Sequence, residues 1–344
     1  MEFKSNITQN VLTKIGKNLH NQKNHPIEII KRKIYDYFGD EYKKFDDLNP
    51  KVTVKKCFDD LLLPSNHPSR SRSDSYYFSE TEVLRTHTTA HLTDLLIAGH
   101  TKFLVAGDVF RKDSVDKFHH FLFHQVDSAC IMEKGQDAEV ELKKVLSGLI
   151  EALFPGCEYR FNSDFFPFTN PSFEIEVMFN NQWLEVLGAG IIQPQIMKNC
   201  GLEGKTGWAF GIGIERIAII LFDIPDIRYF HSNDERFLKQ FKSGEIIKFK
   251  PYSKYPSCYK DISFWLSDNF NYNDLCEIVR ERGGDLIETV ELIDSFTNDK
   301  TNKTSHCYRI TYRSNERSLL NEEIDIIQNH IEEDIENKLL VVLR

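Results

Sequence analysis

Residues 207–222, with the sequence GWAFGIGIERIAIILF, are the most informative segment of the chain. Its glycines, Gly211 and Gly213, precede a strongly apolar segment, a pattern that predicts a buried helix entered where backbone or ligand can approach closely. Arg216 places a positive charge at the head of that helix. Because burying a guanidinium is costly without an anion, Arg216 is expected either to bind an anionic ligand or to pair with an acid such as Glu215.

The segments upstream of this stretch have the pattern of a β-rich domain. Strands are predicted at residues 103–111, 121–127, 173–179 and 183–190. An amphipathic helix is predicted at 138–154, and a helical period also runs from 84 to 98. Strands of this kind with flanking helices predict an α+β fold built on an antiparallel sheet and exclude a doubly wound parallel sheet.

The C-terminal part restarts the pattern in the order strand, helix, strand, strand, helix, strand. These elements are predicted at residues 261–266, 273–282, 286–293, 306–312, 321–338 and 339–343. Their order is that of the split ferredoxin-like unit, for which about 90 residues suffice. The chain is therefore divided into a basic N-terminal extension, a main domain, a linker and a ferredoxin-like domain, at residues 1–60, 61–245, 246–253 and 254–344.

Composition and charge bound the possible classes of protein. Of the 344 residues, 41% are apolar, too many for a disordered chain, and no run approaches the ~18 apolar residues of a membrane span. Seven scattered cysteines without a Cys-x-x-Cys pair argue against a disulfide framework or a zinc knuckle. The net charge of -9 averages a basic start with an acidic segment at 322–336, so it excludes a histone-like binder but not an RNA enzyme.

Two glycine-rich stretches look like nucleotide-binding fingerprints, and both are rejected. Residues 201–206 end like a P-loop, but Asn199 stands where the first glycine of that loop belongs. Residues 211–213 lack the third glycine of a dinucleotide fingerprint. The aromatic stretch 165–169, FFPFT, stays open between ordinary core packing and a ligand site.

Taken jointly and in order, several segments resemble those of class II aminoacyl-tRNA synthetases, and more closely those of the single-chain mitochondrial phenylalanyl-tRNA synthetases. The matching segments are residues 85–91, 107–111 with 123–125 (motif 2), 166–169 (the amino-acid signature), 183–188, 207–216 (motif 3) and 254–312 (the anticodon-binding domain). The resemblance covers nearly the whole chain, and this set of motifs is highly specific.

The resemblance implies a reaction, its cofactors and its partners. With ATP and Mg²⁺, L-phenylalanine would be activated as phenylalanyl-adenylate and then transferred to the 2′-hydroxyl of the terminal adenosine of tRNA-Phe, with release of AMP and pyrophosphate. The resemblance further implies a monomer without a separate editing domain and without a membrane partner. The location that the resemblance implies is the mitochondrial matrix. Because the N-terminus has no presequence pattern, the presequence is expected to be absent from this chain.

The resemblance also implies roles for individual residues. Arg111 and Arg216 would be catalytic, holding the α- and γ-phosphates of ATP. The implied ATP-binding residues are these two arginines with His119, His120, Glu185, which would contact Mg²⁺, and Phe210, which would stack on adenine. The implied phenylalanine-binding residues are His87, Thr89, Ala90, His91, Gln125, Val126, Asp127, Phe166, Phe168 and Ala209.

Two positions depart from the pattern of the family. Leu92 stands where a glutamine is usual beside the amino-acid site, and Asp127 replaces the usual glutamate, which shortens its reach by one methylene. Two alternatives to an active phenylalanine ligase therefore stay open: a synthetase-like RNA-binding or regulatory protein without catalysis, and an ATP-dependent ligase of a different aromatic acid.

Overall fold

The structure, a computed structural model, describes residues 3–133, 135–251 and 255–344. Its α-helices are α1 (Gln9–Lys14), α2 (Pro26–Phe38), α3 (Val54–Cys57), α4 (Leu92–Ile97), α5 (Ala138–Leu153), α6 (Pro194–Asn199), α7 (Ile214–Phe222), α8 (Glu235–Leu238), α9 (Tyr272–Gly283) and α10 (Asn321–Leu339). Its strands are β1 (Lys43–Phe45), β2 (Lys51–Thr53), β3 (Glu82–Leu84), β4 (Lys102–Phe110), β5 (Leu122–Met132), β6 (Tyr159–Asp164), β7 (Thr169–Phe179), β8 (Gln182–Ile192), β9 (Thr206–Gly213), β10 (Cys258–Trp265), β11 (Ile287–Asn298), β12 (Lys303–Tyr312) and β13 (Val342–Leu343). Within the described ranges, no helix is both long and apolar enough to cross a membrane.

A seven-stranded sheet lies at the centre of the larger part of the chain, in the order β1-β4-β5-β9-β8-β7-β6. All neighbouring strands are antiparallel except the edge strand β1, which runs parallel to β4. The predicted α+β class is confirmed, whereas the sheet is mixed and not purely antiparallel. The sequence pattern does not indicate β1 because a strand of three residues is too short for alternation to be recognised.

Helices α2, α5 and α7 contribute to one core of the larger domain. Helix α5 is amphipathic as predicted: Leu142, Leu146 and Leu149 are fully buried, and Asp137 caps its first turn. Helix α2 buries an apolar stripe in the same core. The stretch 1–60, predicted as an extension, therefore supplies a helix to the core and strand β1 to the main sheet.

The segment 84–98, predicted as one helix, forms the end of strand β3, a 3₁₀ turn (Thr88–His91) and helix α4. Tertiary contacts override the helical period because Arg85 is drawn into the interior, where it is 1% exposed. Its Nε donates to the Asp108 carbonyl at 2.7 Å, and its Nη1 donates to the Leu48 carbonyl at 3.1 Å. These bonds hold the chain away from a helical path before the turn.

The C-terminal part has the predicted order β-α-β-β-α-β and forms a four-stranded sheet in the order β11-β12-β10-β13. Buried residues of α9 and α10, such as Val279 and Ile331, pack with Phe264 of the sheet in one core. The ferredoxin-like fold is thus confirmed. The acidic stretch 322–336 lies on α10, where Asp334 departs from the exposed pattern and pairs with Arg282 at 2.6 Å.

The smaller domain contacts the loop between β4 and β5. Val115 of this loop packs in the core of the smaller domain, and its carbonyl accepts a hydrogen bond from Val290 N at 3.0 Å. Nearby, the buried Glu277 accepts a hydrogen bond from Tyr76 at 2.8 Å and pairs with Arg280 at 2.9 Å. Apolar packing and the hydrogen bond from Tyr76 to Glu277 therefore join the two domains, and the ion pair within α9 holds Glu277 in place.

The predicted linker, 246–253, overlaps residues 252–254, which lie outside the described part of the chain, as does the predicted domain start at 254. Ile246 and Ile247 pack against the larger core, and Phe249 N donates to the Phe222 carbonyl at 2.6 Å. The first part of the predicted linker is thus packed on the larger domain, and the position of its end stays a prediction.

Removal of the buried Glu277 carboxylate is expected to destabilise this junction. The Glu277→Ala variant leaves Arg280 buried without its partner, a change that costs about 3–5 kcal/mol. Urea denaturation should show that loss in the free energy of unfolding. The control is Glu322→Ala on the exposed side of α10, expected to change the same quantity by less than about 0.5 kcal/mol. Equal losses in the two variants would contradict the role of the buried pair.

Candidate active site

A cavity of about 670 Å³ lies against the larger sheet, between strands β4, β5, β8 and β9, the turn before α4 and the aromatic loop 165–169. Its wall contains most of the predicted site residues: His87, Thr89, Arg111, His119, His120, Gln125, Asp127, Phe166, Phe168, Glu185, Ala209, Phe210 and Arg216. Ala90, His91 and Val126, which were also predicted, are not part of this wall. Side chains distant in sequence thus meet at one site.

Strand alternation explains which residues of β5 face the cavity. Phe123, Gln125 and Asp127 line it, whereas His124 is completely buried and Val126 belongs to the larger core. Successive side chains of a strand point to opposite faces of its sheet, so residues two apart share a face. The placement of Val126 therefore corrects the prediction that it contacts the amino acid.

Phe210 is one of the residues that line the cavity, but alternation on β9 turns its ring towards the core. Its ring is 2% exposed and lies in the core, stacked on Phe38 with centroids 5.6 Å apart and on Trp208 with centroids 6.2 Å apart. A ring held between two aromatic neighbours is not free to stack on adenine. Ala209 and Gly211, which line the cavity on either side of Phe210, contribute little bulk to its wall.

Ala90 and His91 support the turn and do not face the cavity. Ala90 is fully buried in a second core on the larger domain. His91 Nε2 lies 2.9 Å from Arg85 Nη1, and since a guanidinium can only donate, this nitrogen is the acceptor. Burial, with the nearby Arg85 charge, lowers the pKa of His91 to about 3. His91 is therefore a neutral support of Arg85, which corrects its predicted contact with the amino acid.

Asp127 is a buried carboxyl group with one oxygen left over. Its Oδ2 accepts a hydrogen bond from Thr89 Oγ1, while Oδ1 has no hydrogen bond of normal geometry from the described residues. Burial raises the pKa of Asp127 to about 6, although Thr89 and Arg111 act in the opposite direction. A Cβ at position 211 would lie 2.8 Å from Oδ1, so the glycine there leaves the space beside this oxygen open. Oδ1 is thus placed to accept from a cationic donor.

An aromatic pocket lies beside this carboxyl group. Phe166 and Phe168 are stacked with centroids 5.9 Å apart, and His87 lies 6.4 Å from Phe168. The Phe166 ring occupies the space above Gly188, where a side-chain Cβ would come within 2.6 Å of it. The aromatic loop left open by the sequence is therefore part of the cavity wall, and its rings form a surface suited to a flat apolar group.

Arg111 brings a guanidinium group into the cavity. Its Nε donates to the Thr86 carbonyl at 2.7 Å, and its guanidinium lies 5.1 Å from the centre of the Phe123 ring. Among the described residues, no carboxylate forms an ion pair with Arg111. Phe123 is absent from the predicted site, although its position two residues before Gln125 on a half-buried strand could have indicated it. The two side chains form a cationic and aromatic surface.

Arg216 lies in the first turn of α7 at the cavity, but it is not buried. Its side chain is 46% exposed, and its Nη1 lies 3.1 Å from Glu185 Oε2 and 3.0 Å from the Glu185 carbonyl. The expected partner Glu215 points elsewhere. An ion pair at this exposure contributes about 0–1 kcal/mol, so an incoming anion can replace Glu185 at small cost.

The two predicted histidines have different environments. His119 Nδ1 lies 2.7 Å from Asp116 Oδ2, which raises the pKa of His119. His120 is 9% exposed, stacks on His231 at 4.0 Å and has its pKa lowered by burial to about 3. His119 can therefore carry a positive charge near neutral pH, whereas His120 stays neutral.

The Thr89 hydroxyl is expected to control the titration of Asp127. Because its hydrogen bond favours the ionised carboxylate, Thr89→Val should raise the pKa of Asp127 above about 6. Carbon-13 NMR of labelled aspartate, compared with an Asp127→Asn spectrum for assignment, measures this value. Thr81→Val, at an exposed threonine in the same domain, is the control and should leave it unchanged. A lower pKa in Thr89→Val would contradict the proposed hydrogen bond.

Comparison with known proteins agrees with this geometry. The family of tRNA synthetases class II core domain (F) matches residues 8–241, and the ferredoxin-fold anticodon binding domain matches residues 253–344. The chain is 51% identical to the chloroplastic/mitochondrial phenylalanine–tRNA ligase of Arabidopsis thaliana, over 99% of this chain and 83% of that protein. It is 44% identical to the mitochondrial phenylalanine–tRNA ligase of Mus musculus, over 96% of this chain and 83% of that protein. The chain therefore belongs to the family of single-chain phenylalanine–tRNA ligases, within the class II tRNA synthetases.

Proposed function

We propose that this protein activates L-phenylalanine with ATP as phenylalanyl-adenylate and transfers it to the 2′-hydroxyl of the terminal adenosine of tRNA-Phe. The proposal rests on one cavity in which, among the described residues, Asp127 Oδ1 has no hydrogen bond of normal geometry and Arg111 has no ion pair with a carboxylate. An amino acid supplies the missing ammonium group, and a nucleotide supplies the missing phosphate. The stacked Phe166 and Phe168 rings favour an aromatic side chain.

The amino acid would be held at both ends. Its ammonium group would donate to Asp127 Oδ1, with Thr89 and Gln125 nearby, and its ring would pack on Phe166 and Phe168. Above a pH of about 6 the Asp127 carboxylate is ionised, so binding of the ammonium group is expected to weaken as the pH falls through that value. Burying an ionised carboxylate costs free energy unless a cation neutralises it, and the ammonium group would be that cation.

The nucleotide would be held by charge. Arg111 would contact the α-phosphate, and Arg216 would exchange Glu185 for the γ-phosphate. Phe123, whose ring lies in the wall beside the Arg111 guanidinium, would stack on adenine. Mg²⁺ bound to the phosphates would meet the Glu185 carboxylate, an oxygen ligand of the kind this ion prefers. His119 adds a further charge, and the neutral His120 adds none.

Positioning and charge would then suffice for the reaction. One oxygen of the phenylalanine carboxylate attacks the α-phosphorus, the bond to the bridging oxygen breaks and pyrophosphate leaves. The 2′-hydroxyl of the tRNA next attacks the carbonyl carbon, its proton is released, and AMP leaves with the electron pair of the broken bond. Neither step needs a protein nucleophile, since fixed cations can stabilise the developing negative charge.

The ferredoxin-like domain would bind the tRNA with modest, salt-sensitive affinity. Several of its arginines are already paired with acids: Arg282 with Asp334, Arg309 with Asp261, Arg313 with Glu288 and Arg317 with Glu323. Few of these cations are therefore free for phosphates, and each free one adds to the salt dependence. By relation to proteins named as mitochondrial enzymes, we place the protein in the mitochondrial matrix, acting as a monomer.

Phenylalanine-dependent exchange of labelled pyrophosphate into ATP tests the first step. The wild type should catalyse it, and Arg111→Ala should reduce kcat by about 10²–10³-fold because a fixed charge at the phosphate is lost. Arg309→Ala, which removes an arginine of the smaller domain, is the control and should leave exchange unchanged. Exchange with another aromatic acid but not phenylalanine would support a different ligase. No exchange with any of them would support a regulatory protein.

Tyrosine should be activated as well, because an apolar pocket rejects an added hydroxyl by only about 10²-fold. We propose that the two domains described here do not hydrolyse this product, so tyrosyl-tRNA should accumulate in a charging assay at high tyrosine concentration. The measurement compares kcat/KM for the two amino acids and the lifetime of purified tyrosyl-tRNA with and without the protein. Rapid deacylation that requires the protein would contradict the absence of editing.

A further inference from the structure

Glu215 is adjacent to Arg216 but points the opposite way, into the protein. It is 3% exposed, and both of its carboxylate oxygens contact the same residue, the completely buried His124. Oε2 accepts from the main-chain N of His124 at 2.8 Å, and Oε1 lies 2.7 Å from Nδ1 of its ring. A buried acid is therefore engaged in two bonds to a single residue of another element.

The first of these bonds replaces a missing strand partner. Strands β5 and β9 are paired as far as Gln125 with Gly213, and after Gly213 the chain turns into helix α7. The next residue on β5, His124, thus has no neighbouring strand on that side. Its N–H donates to the Glu215 carboxylate instead, so the side chain continues the ladder by one position.

The second bond fixes the position of one hydrogen on the imidazole. Since an ionised carboxylate can only accept, Nδ1 of His124 must carry a hydrogen. The neighbouring rings of His20 and His231 lie 5.4 and 6.5 Å away, and burial lowers the pKa of both. These neighbours are therefore neutral at physiological pH. The first turn of a helix, where Glu215 lies, favours a negative charge.

We propose that Glu215 is a positioning residue that sets the distance between the two halves of the active site. It ties the helix that carries Arg216 to the strand that carries Gln125 and Asp127. Arg216, the cation that would bind the nucleotide, and Asp127, which would accept from the amino acid, are thereby held at a fixed distance from each other. This inference rests on the proposed function, because that function gives the two halves different substrates.

Two substitutions separate the geometry of Glu215 from its charge. Glu215→Gln keeps the length and removes the charge: its oxygen can accept from His124 N while its NH₂ donates to Nδ1 of the other histidine tautomer. Glu215→Asp keeps the charge and withdraws it by one methylene. If geometry matters, Glu215→Gln should keep kcat for exchange within about fivefold, whereas Glu215→Asp should lower it about 10²-fold with the KM for phenylalanine unchanged.

The matched control is Asp334→Asn, which makes the same carboxylate-to-amide change at a buried acid on α10. Thermal unfolding of all variants shows which of them fold, and exchange is compared only at temperatures where each is folded. Loss of kcat in Glu215→Gln but not in Glu215→Asp would overturn the proposal in favour of charge. Unchanged kcat in both variants, or an equal reduction of kcat in both, would also overturn the proposal.

Nitrogen-15 NMR of histidine-labelled protein gives a second readout that does not depend on the reaction. The wild type should show His124 protonated on Nδ1, and Glu215→Gln should shift the hydrogen to Nε2. If the wild type exchanged no pyrophosphate but showed the hydrogen on Nδ1, the proposed function would fail. The hydrogen bond between Glu215 and His124 would then still stand. A His124 Nδ1 without a hydrogen in the wild type would overturn the hydrogen bond to Glu215 itself.

Discussion

The register of strand β5 determines which of its side chains face the cavity, and the rest of the site depends on that register. The strand lies between β4 and β9, so both of its edges are hydrogen-bonded and its register is fixed. One side then presents Phe123, Gln125 and Asp127 to the cavity, and the other side buries Val126 and His124. A shift by one residue would exchange these sets and place a carboxylate in the core.

Sequence patterns predicted what depends on local periodicity. Helix α5, the ferredoxin-like unit and most strands follow from the spacing of apolar residues. The roles of individual side chains were predicted less well, because a motif identifies a segment of sequence but not the direction in which each of its side chains points. Phe210 lies in a matched segment and Val126 directly follows one, yet alternation turns both into the core. Applying the two-residue period to β5 would have exchanged Val126 for Phe123.

Tertiary contacts account for the remaining differences. Arg85 prevents a long helix because its hydrogen-bond acceptors, the Asp108 and Leu48 carbonyls, belong to other segments. Arg216 was expected to be buried, but it lies at the cavity rim, while its neighbour Glu215 is the residue inside. Nothing local in an Ile-Glu-Arg-Ile sequence decides which charge points inward. The end of the β5–β9 ladder determines which charge points inward, because a main-chain N–H there needs an acceptor.

If Asp127 and Arg111 bind the two ends of one substrate complex, a crystal structure with a non-hydrolysable phenylalanyl-adenylate analogue should show both contacts. We expect the ammonium nitrogen about 3 Å from Asp127 Oδ1, the ring on Phe166 and Phe168, and the phosphate mimic against Arg111. An analogue bound with its ammonium group away from Asp127, or with its phosphate mimic away from Arg111, would show that these two residues do not share one substrate complex.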